Sequence, residues 1–208
     1  MNTPVPSNDA SSPTPVGDAT VPMAGRLQGM AALVTGSSRG IGACIAATFA
    51  AAGARVGIMA RDRGRAEAVA DRIRATGGVA AVGTADISIE GDIRAAVDAL
   101  AEQLGGVHIL VNNAAVVPSA IGGASGTAAD VDLEIWRRYL TVNITGPLLV
   151  SRFAYPHMIR SGHGSIVNIN SVAERYAAQN DVAYVEQGGA GGTYSFDGDR
   201  LCSRDPRQ

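Results

Sequence analysis

Between residues 35 and 42 the chain reads Thr35-Gly36-Ser37-Ser38-Arg39-Gly40-Ile41-Gly42. A short apolar run, Ala31–Val34, precedes it, and an alanine-rich helical segment, Ile41–Ala52, follows and ends at Gly53. A glycine-rich turn between strand and helix is built to cradle phosphate. Gly36 lets the chain turn sharply off the strand, Gly40 keeps the backbone clear for a pyrophosphate, and Gly42 lets helix and strand approach. The helix start adds N–H groups without intrahelical acceptors and the positive end of its dipole. Ser38, Arg39 and Ile41 lie inside the same turn and join the three glycines as candidate phosphate-binding residues.

Outward from this turn, strand and helix patterns alternate. Strands are predicted at Ala31–Val34, Arg55–Ala60, Val79–Gly83, Ile109–Asn112 and Ser165–Asn170. Helices are predicted at Ile41–Ala52, Arg63–Thr76, Glu90–Leu104, Asp130–Val142 and Pro147–Ile159. Apolar strands alternating with helices imply a doubly wound, Rossmann-type α/β domain, a parallel sheet covered on both faces with right-handed crossovers. The pattern predicts a domain over 26–184 with five strands. Residues 1–25 carry five of the nine prolines and no hydrophobic period, and read as a disordered arm in which Met23 is a candidate start. Residues 185–208 lose all periodicity after Tyr184 and read as an irregular tail.

Composition narrows the chemistry. All 17 basic residues of the 208 are arginine, so a P-loop lysine and a Schiff-base lysine are excluded. Arginine in place of lysine also fits GC-rich coding DNA. A net charge of −2 argues against nucleic-acid or anionic-membrane partners. Two cysteines, Cys44 and Cys202, are too few for a disulfide framework and suit a reducing cytoplasm. No apolar run reaches the ~18 residues of a membrane span, and the start lacks the pattern of a secretory signal. His108, His157 and His163 stand at no metal-ligand spacing with Cys or acids, so no metal site is expected.

The spacing T-G-x-x-x-G-x-G resembles the short-chain dehydrogenase/reductase family. Other stretches carry the same resemblance: Asp86-Ile87 after the third strand, Asn112-Asn113-Ala114-Ala115 at the end of the fourth, Trp136 with Val142-Asn143-Ile144-Thr145-Gly146, and Gly164 to Ser171. It spans Leu27 to Tyr184. It implies a nicotinamide cofactor held by the glycine turn, Arg61, Asp86, Ile87, Asn113, Ala114 and Tyr184. It also implies transfer of hydride to or from a small carbonyl or alcohol substrate. Tyr184 would give the proton to the carbonyl oxygen, Ser171 would polarise that carbonyl, and Asn143 would hold a relay water. Members are typically homo-oligomers, and the interface is expected to be incomplete here. The Val116–Thr127 loop is expected to border the substrate.

Cofactor choice turns on the end of the second strand, where NAD-preferring members carry an acid. Ala60 stands there, followed by Arg61, and Arg39 lies in the glycine turn. Two guanidiniums suit a 2′-phosphate, so NADP(H) is expected over NAD(H), with Asp62 keeping the alternative open.

The resemblance has one gap. A phenol has pKa about 10, and the family lowers it with a lysine four residues after the tyrosine; here that position is Gly188. The genetic code suggests why. Read one base out of frame, the codons of Gln187 and Gly188 give Lys or Arg, and the stretch beyond can read as an amphipathic helix. Two bases lost after Val185 would account together for the missing lysine, the lost period and the early stop. Without the family's remaining strands, the fifth strand is expected near an exposed edge and the Leu148/Leu149/Phe153 face short of a partner, giving marginal solubility. A non-catalytic NADP-binding module and an inactive frameshifted product are the alternatives to an enzyme.

Overall fold

The computed structural model describes residues 25–117, 126–127 and 129–171, and the backbone of 193–197. Five parallel strands form the sheet: β1 (Ala31–Thr35), β2 (Arg55–Ala60), β3 (Val79–Thr84), β4 (Ile109–Asn112) and β5 (His163–Asn168). Helices α1 (Gly40–Ala51), α2 (Arg63–Ala75) and α3 (Glu90–Leu104) fill the first three crossovers. Between β4 and β5 run α4 (Leu133–Tyr139), a π-helical turn (Leu140–Thr145) and α5 (Gly146–Arg160). The strand order is β3-β2-β1-β4-β5, with a sixth strand, β6 (Thr193–Asp197), beyond β5. The chain therefore winds outward from β1 in both directions, and a crevice opens beyond the carboxyl ends of β1 and β4.

Alternation along β1 separates two cores. Ala31 and Leu33 face one side, with Ile93, Val97 and Leu100 of α3 and Val150 and Met158 of α5. Ala32 and Val34 face the other, with Ala46 of α1 and Val69 and Ile73 of α2. The whole of β1 is buried, as a central strand between two helical layers must be. On α3 the buried residues recur at Ile93, Ala96, Val97, Leu100, Ala101 and Leu104, one stripe of a 3.6-residue helix. At the outer edge, Arg74 of α2 donates to the Ala80 carbonyl of β3 from Nε at 3.1 Å and Nη2 at 2.9 Å, blunting that edge against further pairing. No helix among the described residues is long and apolar enough to cross a membrane.

Four features differ from the sequence expectations. The two helices predicted over Asp130–Val142 and Pro147–Ile159 are one continuous run, because the connecting residues Leu140–Thr145 widen into a π turn instead of leaving the helix. Strand β5 begins two residues early, because His163 and Gly164 already pair with an antiparallel neighbour, opposite Asp197 and Phe196. A sixth strand, β6 (Thr193–Asp197), pairs antiparallel with β5 inside the stretch read as coil. Its sequence, Thr193-Tyr194-Ser195-Phe196-Asp197, is rich in strand formers but too short to show a period among flanking glycines. Of the Leu148/Leu149/Phe153 face, only Leu148 is left exposed; Leu149 and Phe153 pack on the core, and Arg94 of α3 lies 4.6 Å over the Phe153 ring.

His108 continues the β1–β4 ladder with its side chain. Its backbone N–H donates to Ala31 O at 2.8 Å, and its ring Nδ1 accepts from Ala31 N at 3.0 Å. That acceptor requires the neutral ring. Burial, His163 (ring centroids 5.0 Å apart) and Arg55 together hold the His108 pKa below its ordinary 6.5. The unfolded chain therefore binds this proton more readily than the folded one, so the contribution is complete above pH 6.5 and is lost as pH falls through the lower folded value. Urea unfolding should show stability falling from pH 7 toward pH 5. His108→Gln, which keeps an acceptor, should flatten that slope, and an unchanged slope would refute the assignment.

Candidate functional site

The crevice is a groove of about 1130 Å³. One wall is the β1–α1 turn. Gly36 takes φ +66°, and its N–H donates to Met59 O of β2 at 2.8 Å. A Cβ on Gly36 would lie 2.7 Å from Ala114 Cα, and one on Gly42 would lie 2.6 Å from Gly36 O. Both positions are closed by backbone. At Gly40, with φ +57°, nothing lies within 4 Å of where a Cβ would stand, so the backbone there faces open space. Buried Ser37 donates to Val34 O at 2.6 Å and fixes the turn from beneath. The first turn of α1 holds no acidic residue, and Arg39 makes no side-chain cap. The N–H groups of Gly40, Ile41 and Gly42 thus point at the groove without intrahelical acceptors. A cradle of this kind fits a pyrophosphate.

Thr35 ties this turn to the end of β4. Its hydroxyl oxygen accepts from Asn113 N and Ala114 N, each at 3.0 Å, and donates to Val111 O at 3.4 Å. The Asn113 side chain returns two bonds, from Nδ2 to Thr35 O at 2.9 Å and to Gly36 O at 3.3 Å. Asn112 points to the other side, its Nδ2 donating to Asn168 Oδ1 at 2.8 Å and to Ser151 Oγ at 3.1 Å, which joins β4, β5 and α5. Thr35 and Asn112 open two of the motifs, but the motifs do not say what their side chains bond. Their importance comes from burial, which the sequence does not display.

At the far end, Arg61 Nη1 stands 3.7 Å from Asp86 Oδ2. Burial raises the Asp86 pKa, but bonds from the Ser88 hydroxyl (2.7 Å) and N–H (2.9 Å) and the Arg61 charge outweigh it, leaving the carboxyl below its usual value. Asp62 caps α2, accepting from Arg65 N at 3.0 Å, and pairs with Arg65 Nε at 3.1 Å. The groove is lined by five arginines (Arg39, Arg61, Arg65, Arg137 and Arg138) and three carboxylates (Asp62, Asp86 and Glu134), a surplus of positive charge suited to a phosphorylated ligand.

The groove brings together Gly36, Ser38, Arg39, Gly40, Ile41, Gly42, Arg61, Asp86, Ile87, Asn113 and Ala114. Arg65, Arg138 and Thr141 line it as well, though no motif in the sequence marks them. Arg65 and Arg138 lie on helices whose exposed basic residues look alike in sequence. Asn143 sits in the π turn, where its amide bonds the backbone of Val116 both ways, accepting from N at 2.7 Å and donating to O at 2.8 Å. A π turn is a frequent functional device, and here it holds the loop after β4 against the groove. Ser171 is described and half-buried, and is not among the residues lining this groove. Tyr184 and Gly188 lie outside the described residues, as does most of the Val116–Thr127 loop.

Comparison with known proteins points one way. The short chain dehydrogenase family model matches residues 30–186. The chain is similar to a D-threitol dehydrogenase of Mycolicibacterium smegmatis, at 35% identity over 76% of this chain and 59% of that one. Among solved structures, a 7α-hydroxysteroid dehydrogenase complexed with NADH and 7-oxo glycochenodeoxycholic acid aligns at TM-score 0.74 and 34% identity, over 81% of this chain and 63% of that one. A metagenomic short-chain oxidoreductase in complex with NADP aligns at TM-score 0.71 and 35% identity, over 78% and 72%. The chain spans between 50% and 64% of the length of the first curated relatives it matches.

Proposed function

Since the chain belongs to the short-chain dehydrogenase family, we propose that it binds NADP(H) in the groove beyond β1 and β4 as part of an oxidoreductase acting on a carbonyl/alcohol pair. The cofactor, when bound, supplies or accepts hydride. The glycine turn and the start of α1 hold the pyrophosphate, and Asp86, Ile87, Asn113 and Ala114 frame the adenosine half. Asn143 tethers the loop after β4 and holds the relay water, Ser171 polarises the carbonyl, and Tyr184 holds the proton delivered to its oxygen. The reducing cytoplasm suits both the cysteine content and this cofactor.

The observation that carries the NADP(H) reading is the charge at the adenosine end. Arg39 and Arg61 both line it, and the one acid that follows β2, Asp62, is engaged with α2 and Arg65. A 2′-phosphate meets guanidinium there, while both carboxylates at that end are engaged, Asp62 with Arg65 and Asp86 with Ser88 and Arg61. Calorimetric titration of the chain with NADPH and NADH tests this. NADPH should bind the more tightly, and Arg61→Ala should weaken NADPH by about tenfold or more while moving NADH little. Equal weakening of both would argue against a 2′-phosphate contact. A second reading, a nucleotide-binding module without turnover, is favoured by Gly188 standing where the family has its lysine.

A further inference from the structure

We propose that Arg65 sets the cofactor preference of the groove as a positioning residue, by holding the Asp62 carboxylate away from the adenosine ribose. The inference rests on the groove being a nicotinamide-dinucleotide site. A carboxylate just past β2 would do two things at that site: accept from the 2′- and 3′-hydroxyls of a bare ribose, and repel a 2′-phosphate. Asp62 is in place to do both, since it lines the groove beside Arg61.

Its two oxygens are instead turned to α2. Oδ1 accepts from Arg65 N at 3.0 Å as the helix cap, and Oδ2 lies 3.1 Å from Arg65 Nε. The cap bond directs one oxygen whatever side chain stands at 65. Only the guanidinium engages the second oxygen and balances its charge. Both side chains are more than half exposed, 65% and 51%, so the ion pair is screened and its effect modest. What it controls is the direction and net charge of a carboxylate at the edge of the ribose site, and that bears differently on a phosphate and on a diol.

The test is a double-variant cycle on the full chain, reading the ratio of NADPH to NADH affinities by calorimetry. Arg65→Met should lower that ratio about three- to fivefold, the scale of one screened ion pair. In an Asp62→Asn background, which keeps an equally good helix cap, Arg65→Met should leave the ratio unchanged, because no carboxylate remains to be released. An equal fall in both backgrounds would mean that Arg65 contacts the phosphate directly, and would overturn the proposal, as would no fall in either. A chain that prefers NADH from the start, yet whose ratio falls further with Arg65→Met, keeps the proposal and overturns only the preference stated above. Binding of neither nucleotide overturns the site and the proposal with it.

Discussion

Gly36→Ala should cost about 3 kcal/mol of stability in urea unfolding and abolish nucleotide binding at concentrations that saturate the parent chain. Two effects add. The residue holds φ +66°, a left-handed conformation that costs an L-residue with a Cβ about 1–2 kcal/mol. The new Cβ would also stand 2.7 Å from Ala114 Cα, against the backbone at the end of β4. That backbone cannot yield cheaply, because Thr35 and Asn113 lock it to the same turn through four bonds of 2.9–3.3 Å. Relief must come from opening the turn, which moves the N–H groups of the cradle away from the pyrophosphate. Gly40→Ala separates the two effects. Gly40 has a similar φ, +57°, but open space around it, so its loss of stability should stay near about 1 kcal/mol. Equal losses at the two positions would show that close packing between β1 and β4 does not limit the turn.

Carbonyl reduction by the chain as it stands should run at least about a hundredfold below that of a counterpart whose gene has two bases restored after the Val185 codon. General acid–base catalysis contributes about 10²–10⁴ when the group's pKa sits near the operating pH. Tyr184 has no lysine four residues on, and no lysine elsewhere in the chain, to bring its phenol down from about 10. Nucleotide binding depends on the β1–α1 turn and should be retained by the unrestored chain. Steady-state reduction of activated ketones or quinones, with nucleotide binding measured alongside, reads both. Equal turnover by the two chains would show that Tyr184 works without an ammonium neighbour. Coding DNA whose shifted frame does not open into a lysine-bearing amphipathic helix would remove the frame-slip account altogether.

Much of the groove was legible in advance because its parts are local in sequence. The glycine turn, Asp86-Ile87 and Asn113-Ala114 each sit at the carboxyl end of a strand, and parallel strands bring such ends together by construction. Asn143 was legible as a residue but not as a geometry. Its motif lies where two predicted helices meet, and in the π turn that joins them its amide bonds the backbone of Val116, 27 residues away. Arg65 was invisible for another reason. Periodicity marks it as an exposed helical arginine, and only the placement of Asp62 beside it gives it a task. The strand β6 escaped notice because five residues carry too little pattern, whereas the unpaired edge of β5 offers its backbone a full register from Thr193 to Asp197.

From sequence alone came the class of fold, the order of its elements, the glycine-rich turn after β1, and a chain whose basic residues are all arginine. These follow from composition and short-range spacing, which need no coordinates. Tertiary structure decided which side chains hold the site in shape. The Thr35 hydroxyl receives two amides from just past the end of β4, 78 and 79 residues away, His108 completes a ladder with Ala31, 77 residues back, and the Asp62 carboxylate is turned toward α2. Hydrogen bonds of that kind depend on direction and burial, and neither is set until the sheet has closed.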